Sequence, residues 1–228
     1  MSITECPSSA ALQQAALEGN LPELRRQLAC GADPNVPDTW GWTALMLAAQ
    51  KGHIDAVRLL LHAGADVHAA KPPTDATALL FAAERQHTDV MRLLLEAGAN
   101  PNDEATLYRS KRKRSRYKIS QTAVSISARF GNTEAIRLLL DAGADANAIA
   151  YGGTALEIAM SESKNLEVVR LCAAASSDKT RSEALCSAAR FGRIEAVRLL
   201  LNEGADANHY DDRDGYTALL ASSMPAPR

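Results

Sequence analysis

The chain has 228 residues, 46% of them apolar, 23% charged and 4% aromatic, with a formal net charge of −2. This is the balance of one large globular domain or two small ones, with a core of Leu and Ala and no general charge bias toward nucleic acid or acidic membranes. Cys6, Cys30, Cys172 and Cys186 form no CxxC pair and have no metal-ligand spacing. No 18 consecutive apolar residues offer a membrane span, and the opening stretch lacks the basic and apolar regions of a signal peptide. A reduced, cytoplasmic setting is expected, with a nucleus left open by one basic segment described below.

Three short patterns recur along the chain. Gly-Ala-Asp starts at Gly31, Gly64, Gly143 and Gly204, with a near copy at Gly98. Thr-Ala, followed by an apolar residue or nearly so, starts at Thr43, Thr77, Thr122, Thr154 and Thr217. An apolar run precedes each glycine, from Val57, Met91, Ile136 and Val197. Thr is a favoured N-cap, so each Thr predicts the start of an Ala/Leu helix. A turn carrying Gly52, Gly131 or Gly192 separates it from a second helix, which stops at the recurrent glycine. The Asp/Asn/Pro-rich stretches that follow read as turns or short hairpins.

In chain order, residues 1–7 are a tail and the first unit spans 8–37, with Arg25, Arg26 and Gln27 giving its second helix a water-facing, capping character. Further units span 38–71, 72–119, 120–150, 151–178 and 179–213. A partial unit, 214–223, precedes a tail, 224–228, whose Pro225 and Pro227 stop any second helix. The third unit carries an insertion, 103–119. Its Arg109, Lys111, Arg112, Lys113, Arg114, Arg116 and Lys118 face only Asp103 and Glu104, a local +5 that leaves −7 for the rest. Such a run repels itself and is expected to project as a finger. It reads as a solvated extension, a nuclear-import signal or a contact for nucleic acid or another polyanion. The fifth unit has no glycine stop after Cys172 and lacks most of a hairpin.

These patterns resemble the ankyrin repeat, whose period is about 33 residues and whose signature Thr-Pro-Leu-His-x-Ala is matched best by Thr43-Ala44-Leu45-Met46-Leu47-Ala48. The resemblance covers about residues 8–223. It implies an all-α solenoid of helix–turn–helix units joined by short β-hairpins or turns. It also implies a monomeric, non-catalytic protein-interaction module that acts as an adaptor, inhibitor or targeting subunit. Partners would bind hairpin tips and the concave first-helix face; the matching candidates are Trp40, Trp42, Lys51, Arg85, Arg129, Phe130, Arg190, Phe191 and Tyr210. Trp40, in a polar turn, is the foremost. Trp42 and Tyr216, just before Thr-Ala-Leu, are expected to pack on neighbouring hairpins.

An acid precedes an arginine by three places on five second helices, from Asp55/Arg58 to Glu195/Arg198, and reads as a solubilising ladder. His53 and His87 share one repeat position and are expected to act as structural caps rather than metal ligands; Cys172 and Cys186 look like small core residues. No nucleophile–base pair, phosphate loop or zinc motif is present, so no enzyme activity, metal or cofactor is expected.

The degenerate fifth unit should be the weak joint of the array, because repeat stability is a sum of unit and nearest-neighbour terms. Hydrogen exchange should therefore be faster over residues 172–182 than over 54–63, and equal protection of the two stretches would contradict this reading.

Overall fold

The structure, a computed structural model, describes residues 8–107, 119–150, 152–163, 165–211 and 215–223. Helices come in pairs: α1 (Ser9–Glu18) with α2 (Leu21–Ala29), α3 (Ala44–Lys51) with α4 (Ile54–His62), and α5 (Ala78–Glu84) with α6 (Thr88–Glu96). The pattern continues with α7 (Ala123–Phe130) and α8 (Thr133–Asp141), α9 (Ala155–Glu162) and α10 (Leu166–Ala175), then α11 (Asp178–Arg190) and α12 (Ile194–Asn202). A lone α13 (Ala218–Ser222) follows. The chain divides into two compact units, Met1–Ala123 and Val124–Arg228.

In the first unit, α1, α3 and α5 stack side by side, as do α2, α4 and α6. Alanines let the first helices approach closely: Ala16, Ala48, Ala49 and Ala82 are wholly buried. Each second helix puts one apolar stripe inward, represented by Val57 and Leu60 or by Met91 and Leu94. The connecting segments carry two small antiparallel sheets. β1 (Ala70–Lys71) pairs with β2 (Ala76–Thr77), and β3 (Glu104–Leu107) pairs with β4 (Ile119–Thr122) in the register Glu104↔Thr122 to Leu107↔Ile119. The Thr106 N–H also donates to the Thr74 carbonyl at 2.6 Å, tying the two hairpins together.

The second unit repeats the scheme, with α9 against α11, α11 against α13, and α8, α10 and α12 in a row. Its first connection shrinks to a single bridge, Ala150↔Gly153. After α10 there is no hairpin at all, as the missing residues required. Ser177 caps α11 by accepting from the Thr180 N–H. No glycine closes α10. Instead the Arg181 guanidinium donates to the Ala173 and Ser176 carbonyls at 3.2 and 2.7 Å, satisfying groups that a helix end leaves open. Asn147 adds a cross-brace, accepting from the Ser177 N–H and the Thr180 hydroxyl.

Three local expectations are corrected. Gln27 does not face water: it is 2% exposed, accepts from the Ser8 N–H and donates to Glu23, so this polar side chain sits inside with its amide satisfied. Thr43, Thr154 and Thr217 cap their helices, and Thr154 completes a reciprocal capping box with Glu157. Thr77 does not; its buried hydroxyl has no hydrogen-bond partner. His53 and His87 occupy N-cap positions but cap nothing on their own helices. Their rings reach back one repeat, Nε2 lying 3.1 Å from the Leu17 carbonyl and 3.2 Å from that of Gln50.

That reach explains a glycine. Gly52 closes α3 with φ +76°, and an added Cβ would stand 2.7 Å from the His87 ring. Gly64 has a similar φ, +83°, with nothing within 4 Å of such a Cβ. Gly64→Ala should thus cost about 1–2 kcal/mol of unfolding free energy, the left-handed backbone alone. Gly52→Ala should cost about 1–3 kcal/mol more through overpacking. Urea titration of both variants checks the ranking, and equal losses would remove the histidine from the argument.

Candidate partner-binding surface

Trp40 and Trp42 stand on one loop and point to different fates. The Asp38 carboxylate accepts the N–H groups of Trp40 and Trp42, both at 2.8 Å. The Asp38 N–H donates to the Trp42 carbonyl at 2.8 Å and Gly41 N–H returns to Asp38 O at 3.0 Å. This is a side-chain-mimicked turn, held closed by one aspartate. It leaves Trp40 73% exposed. Trp42 is half-buried and lies against Phe81, ring centroids 4.5 Å apart at 34°, with the Lys71 ammonium 5.2 Å from the Trp42 ring.

Beneath this loop lies a residue that the sequence did not mark. Gln13, 7% exposed, donates from its amide to the Val36 carbonyl at 2.9 Å and the Trp42 carbonyl at 3.3 Å. No local pattern singles it out, because the equivalent helix position holds Met46 and Leu80 but also Ser125 and Glu157, and its role is legible only once its neighbours are known. Lys51 ends α3, and Arg85 follows α5 as its C-cap; both are exposed. Because α3 and α5 stack, the two cations close adjacent helices at the same end, where helix carbonyls favour positive charge.

In the second unit Arg129 is half-buried, its guanidinium 5.1 Å from the ring of Phe130, which is 45% exposed. Arg190 is half-buried at the end of α11, and Phe191 after it is 56% exposed. Phe191 borders a cleft of about 370 Å³ with Met160, Ser161, Gly152 and Arg193. Arg193 donates to the Ser161 carbonyl at 3.4 Å. Tyr210 is 62% exposed on the following connection. Trp40, Trp42, Lys51 and Arg85 thus belong to the first unit, and Arg129, Phe130, Arg190, Phe191 and Tyr210 to the second. The basic insertion residues Arg109, Lys111, Arg112, Lys113, Arg114, Arg116 and Lys118 lie outside the described residues.

The acid–arginine ladder is formed in part. Glu167 accepts from Arg137 of the preceding repeat at 2.8 Å and lies 3.3 Å from Arg170 on its own helix. Both contacts are exposed, where such pairs contribute little. Three ionisable groups among the described residues are clearly shifted. On the exposed face of α2, hydrogen bonds from Arg26 and then Gln27 pull the Glu23 carboxyl down to about 2. Burial pushes the Cys172 thiol up to about 12, and burial together with the Asp211 carboxylate raises that of Cys186. Among the described residues no three His, Cys, Asp or Glu side chains gather as a metal site, and no helix is long and apolar enough to cross a membrane.

Stacked helix pairs with short hairpins between them define a helical repeat protein. Sequence models described as ankyrin repeats match residues 12–105, 107–181 and 185–224, and the chain belongs to the ankyrin-repeat family. Among curated proteins it is similar to a Mus musculus 2-5A-dependent ribonuclease, with 42% identity over 30% of this chain and 9% of the relative. It is 48% identical to a Bos taurus mitochondrial disaggregase over 28% of this chain and 10% of the relative. A Mus musculus protein phosphatase 1 regulatory subunit 27 is 41% identical over 29% of this chain and 43% of its own length. The chain thus spans less than half the length of each of these relatives.

A thiol with a raised pKa holds little thiolate at neutral pH and is a poor nucleophile. Under native conditions iodoacetamide should modify exposed Cys30 and spare Cys172 and Cys186, which should react only after unfolding. Peptide mass spectrometry reads the three sites separately.

Proposed function

We propose that this chain is a non-catalytic protein-interaction module, an adaptor, inhibitor or targeting subunit that binds a protein partner through its hairpin tips and first-helix ends. The observation that carries this reading is Trp40: a large aromatic side chain, mostly exposed, on a loop whose backbone is tied in advance by Asp38. Trp and Arg are enriched among residues that dominate binding energy, and a rigid support lowers the entropy lost on association. Lys51 and Arg85 would add charged contacts beside it. In the second unit Phe130, Arg190, Phe191 and Tyr210 would serve the same purpose. Trp42 is assigned to supporting the loop rather than to contact, because its ring is engaged by Phe81 and Lys71. The likeness to a phosphatase regulatory subunit agrees with a regulatory, binding role.

The basic insertion, net +5 in sequence, supports a second reading, in which a polyanion or nucleic acid binds or nuclear import is directed there. Capture from lysate of the source cell separates the two, using wild type, Trp40→Ala and a chain lacking residues 109–118, each with and without nuclease. The expected result is a protein retained by wild type and the deletion, resistant to nuclease and bound about 30-fold more weakly by Trp40→Ala, the effect of losing a hot spot. Retention that depends on residues 109–118 or on nucleic acid would overturn the first reading in favour of the second.

A further inference from the structure

In the first unit the connections after α4 and α6 are closed by strand pairing, β1 with β2 and β3 with β4. The connection after α2, which carries Trp40, forms no strand over residues 36–42. A ladder fixes the two arms of a hairpin to each other, so a loop without one needs another tie. Asp38 closes the turn from within, through the Trp40 and Trp42 N–H groups. It does not fix the closed turn to the helices below. Gln13 does. Its side-chain nitrogen carries two hydrogens and donates to the Val36 carbonyl at 2.9 Å and to the Trp42 carbonyl at 3.3 Å, one at each end of the loop. Asn35 also reaches out of this segment, to Gly64 and Asp66, but from the incoming arm only. Stacking of repeats does not require the amide. At the equivalent position Met46 and Leu80 are 1% and 2% exposed and offer no donor, and each belongs to a repeat whose following connection has its own strand pair. The amide stands where the strand pair is missing.

We propose that Gln13 is a positioning residue for partner binding, given Trp40 as a contact residue, the reading on which this rests. Gln13 clamps both arms of the Trp40 loop to α1, so the exposed indole is presented in one place instead of sweeping through many. A side chain whose support is already fixed loses less freedom when a partner seats on it. The two ties have different tasks: Asp38 keeps the turn closed, and Gln13 keeps the closed turn in position. The first repeat is then part of the binding apparatus as well as the cap of the array.

Time-resolved fluorescence anisotropy tests the clamp without a partner. In a Trp42→Phe background Trp40 is the one tryptophan of the chain, and an aromatic ring remains at position 42 to face Phe81. Gln13→Met and Gln13→Leu copy the neighbouring repeats, keeping an apolar filling while removing both donors. In each, the part of the anisotropy that decays faster than overall tumbling should grow, on the nanosecond scale of loop motion, with far-UV circular dichroism unchanged. Gly98→Ala strains a left-handed backbone, φ +91°, where nothing lies within 4 Å of the new Cβ. This general loss of stability should leave the Trp40 decay as it was. A fast component that stays constant in both Gln13 variants, or grows equally in Gly98→Ala, would overturn the proposal. The binding readout uses the protein that wild type retains from lysate and Trp40→Ala releases. With Trp42 intact, Gln13→Met should hold it about 2- to 10-fold more weakly, the effect of ordering one freed side chain. Unchanged affinity alongside a larger fast component would overturn the positioning role, whereas a lysate that yields no such protein would overturn the reading of Trp40 itself.

Discussion

Each helix pair in this chain leaves an apolar face that only a neighbouring helix can cover, and the rest of the structure follows from that debt of contact. A pair of helices of 7 to 10 residues, such as α5 with α6 or α9 with α10, is too short to be stable alone in water. Stacking supplies what is missing. Ala48 and Ala49 disappear between first helices, while Val57 and Leu60 disappear between second helices. Small residues on one row and branched or long ones on the other set how closely each row can approach.

Several polar groups join one repeat to the next. The ring of His53 rests over Gly19 and reaches the Leu17 carbonyl, and His87 does the same over Gly52 toward Gln50. In the second unit the amide of Asn165 takes the role, donating to the Gly131 carbonyl at 3.0 Å. Asn35 joins its own loop to the next, donating to the Gly64 carbonyl and accepting the Asp66 N–H. These bonds satisfy backbone groups at helix ends and turns, and at the same time they set the register of one repeat on another.

The irregular joint after α10 shows how this economy survives a deletion. A glycine normally lets the chain turn and satisfy its last carbonyls at once. Here Arg181, one turn into the following helix, returns its guanidinium to the carbonyls of Ala173 and Ser176 and pairs with Asp178. Ser176 helps by donating its hydroxyl to the Cys172 carbonyl at 2.7 Å. The hairpin is lost, yet the helix end is not left bare.

The repeat itself was legible in the residues: the Gly-Ala-Asp stops, the Thr-Ala starts and the VRLLL stripes are local signals whose physics acts over one turn of helix. So were the missing hairpin of the fifth unit and the exposure of Trp40 in a polar turn. The packing of Trp42 was expected as well, but its partners were not: Phe81 comes from the next repeat and Lys71 from the far end of its own, and only folding brings both to the ring. Gln27 reads as a surface residue, and Gln13 carries no mark at all, until the chain folds over them and supplies amide partners. Leu219 reads like Leu45, and the difference between 80% and 1% exposure lies wholly in whether another helix covers it. Local propensity determines each repeat, whereas burial is a property of the neighbour and is decided only in three dimensions.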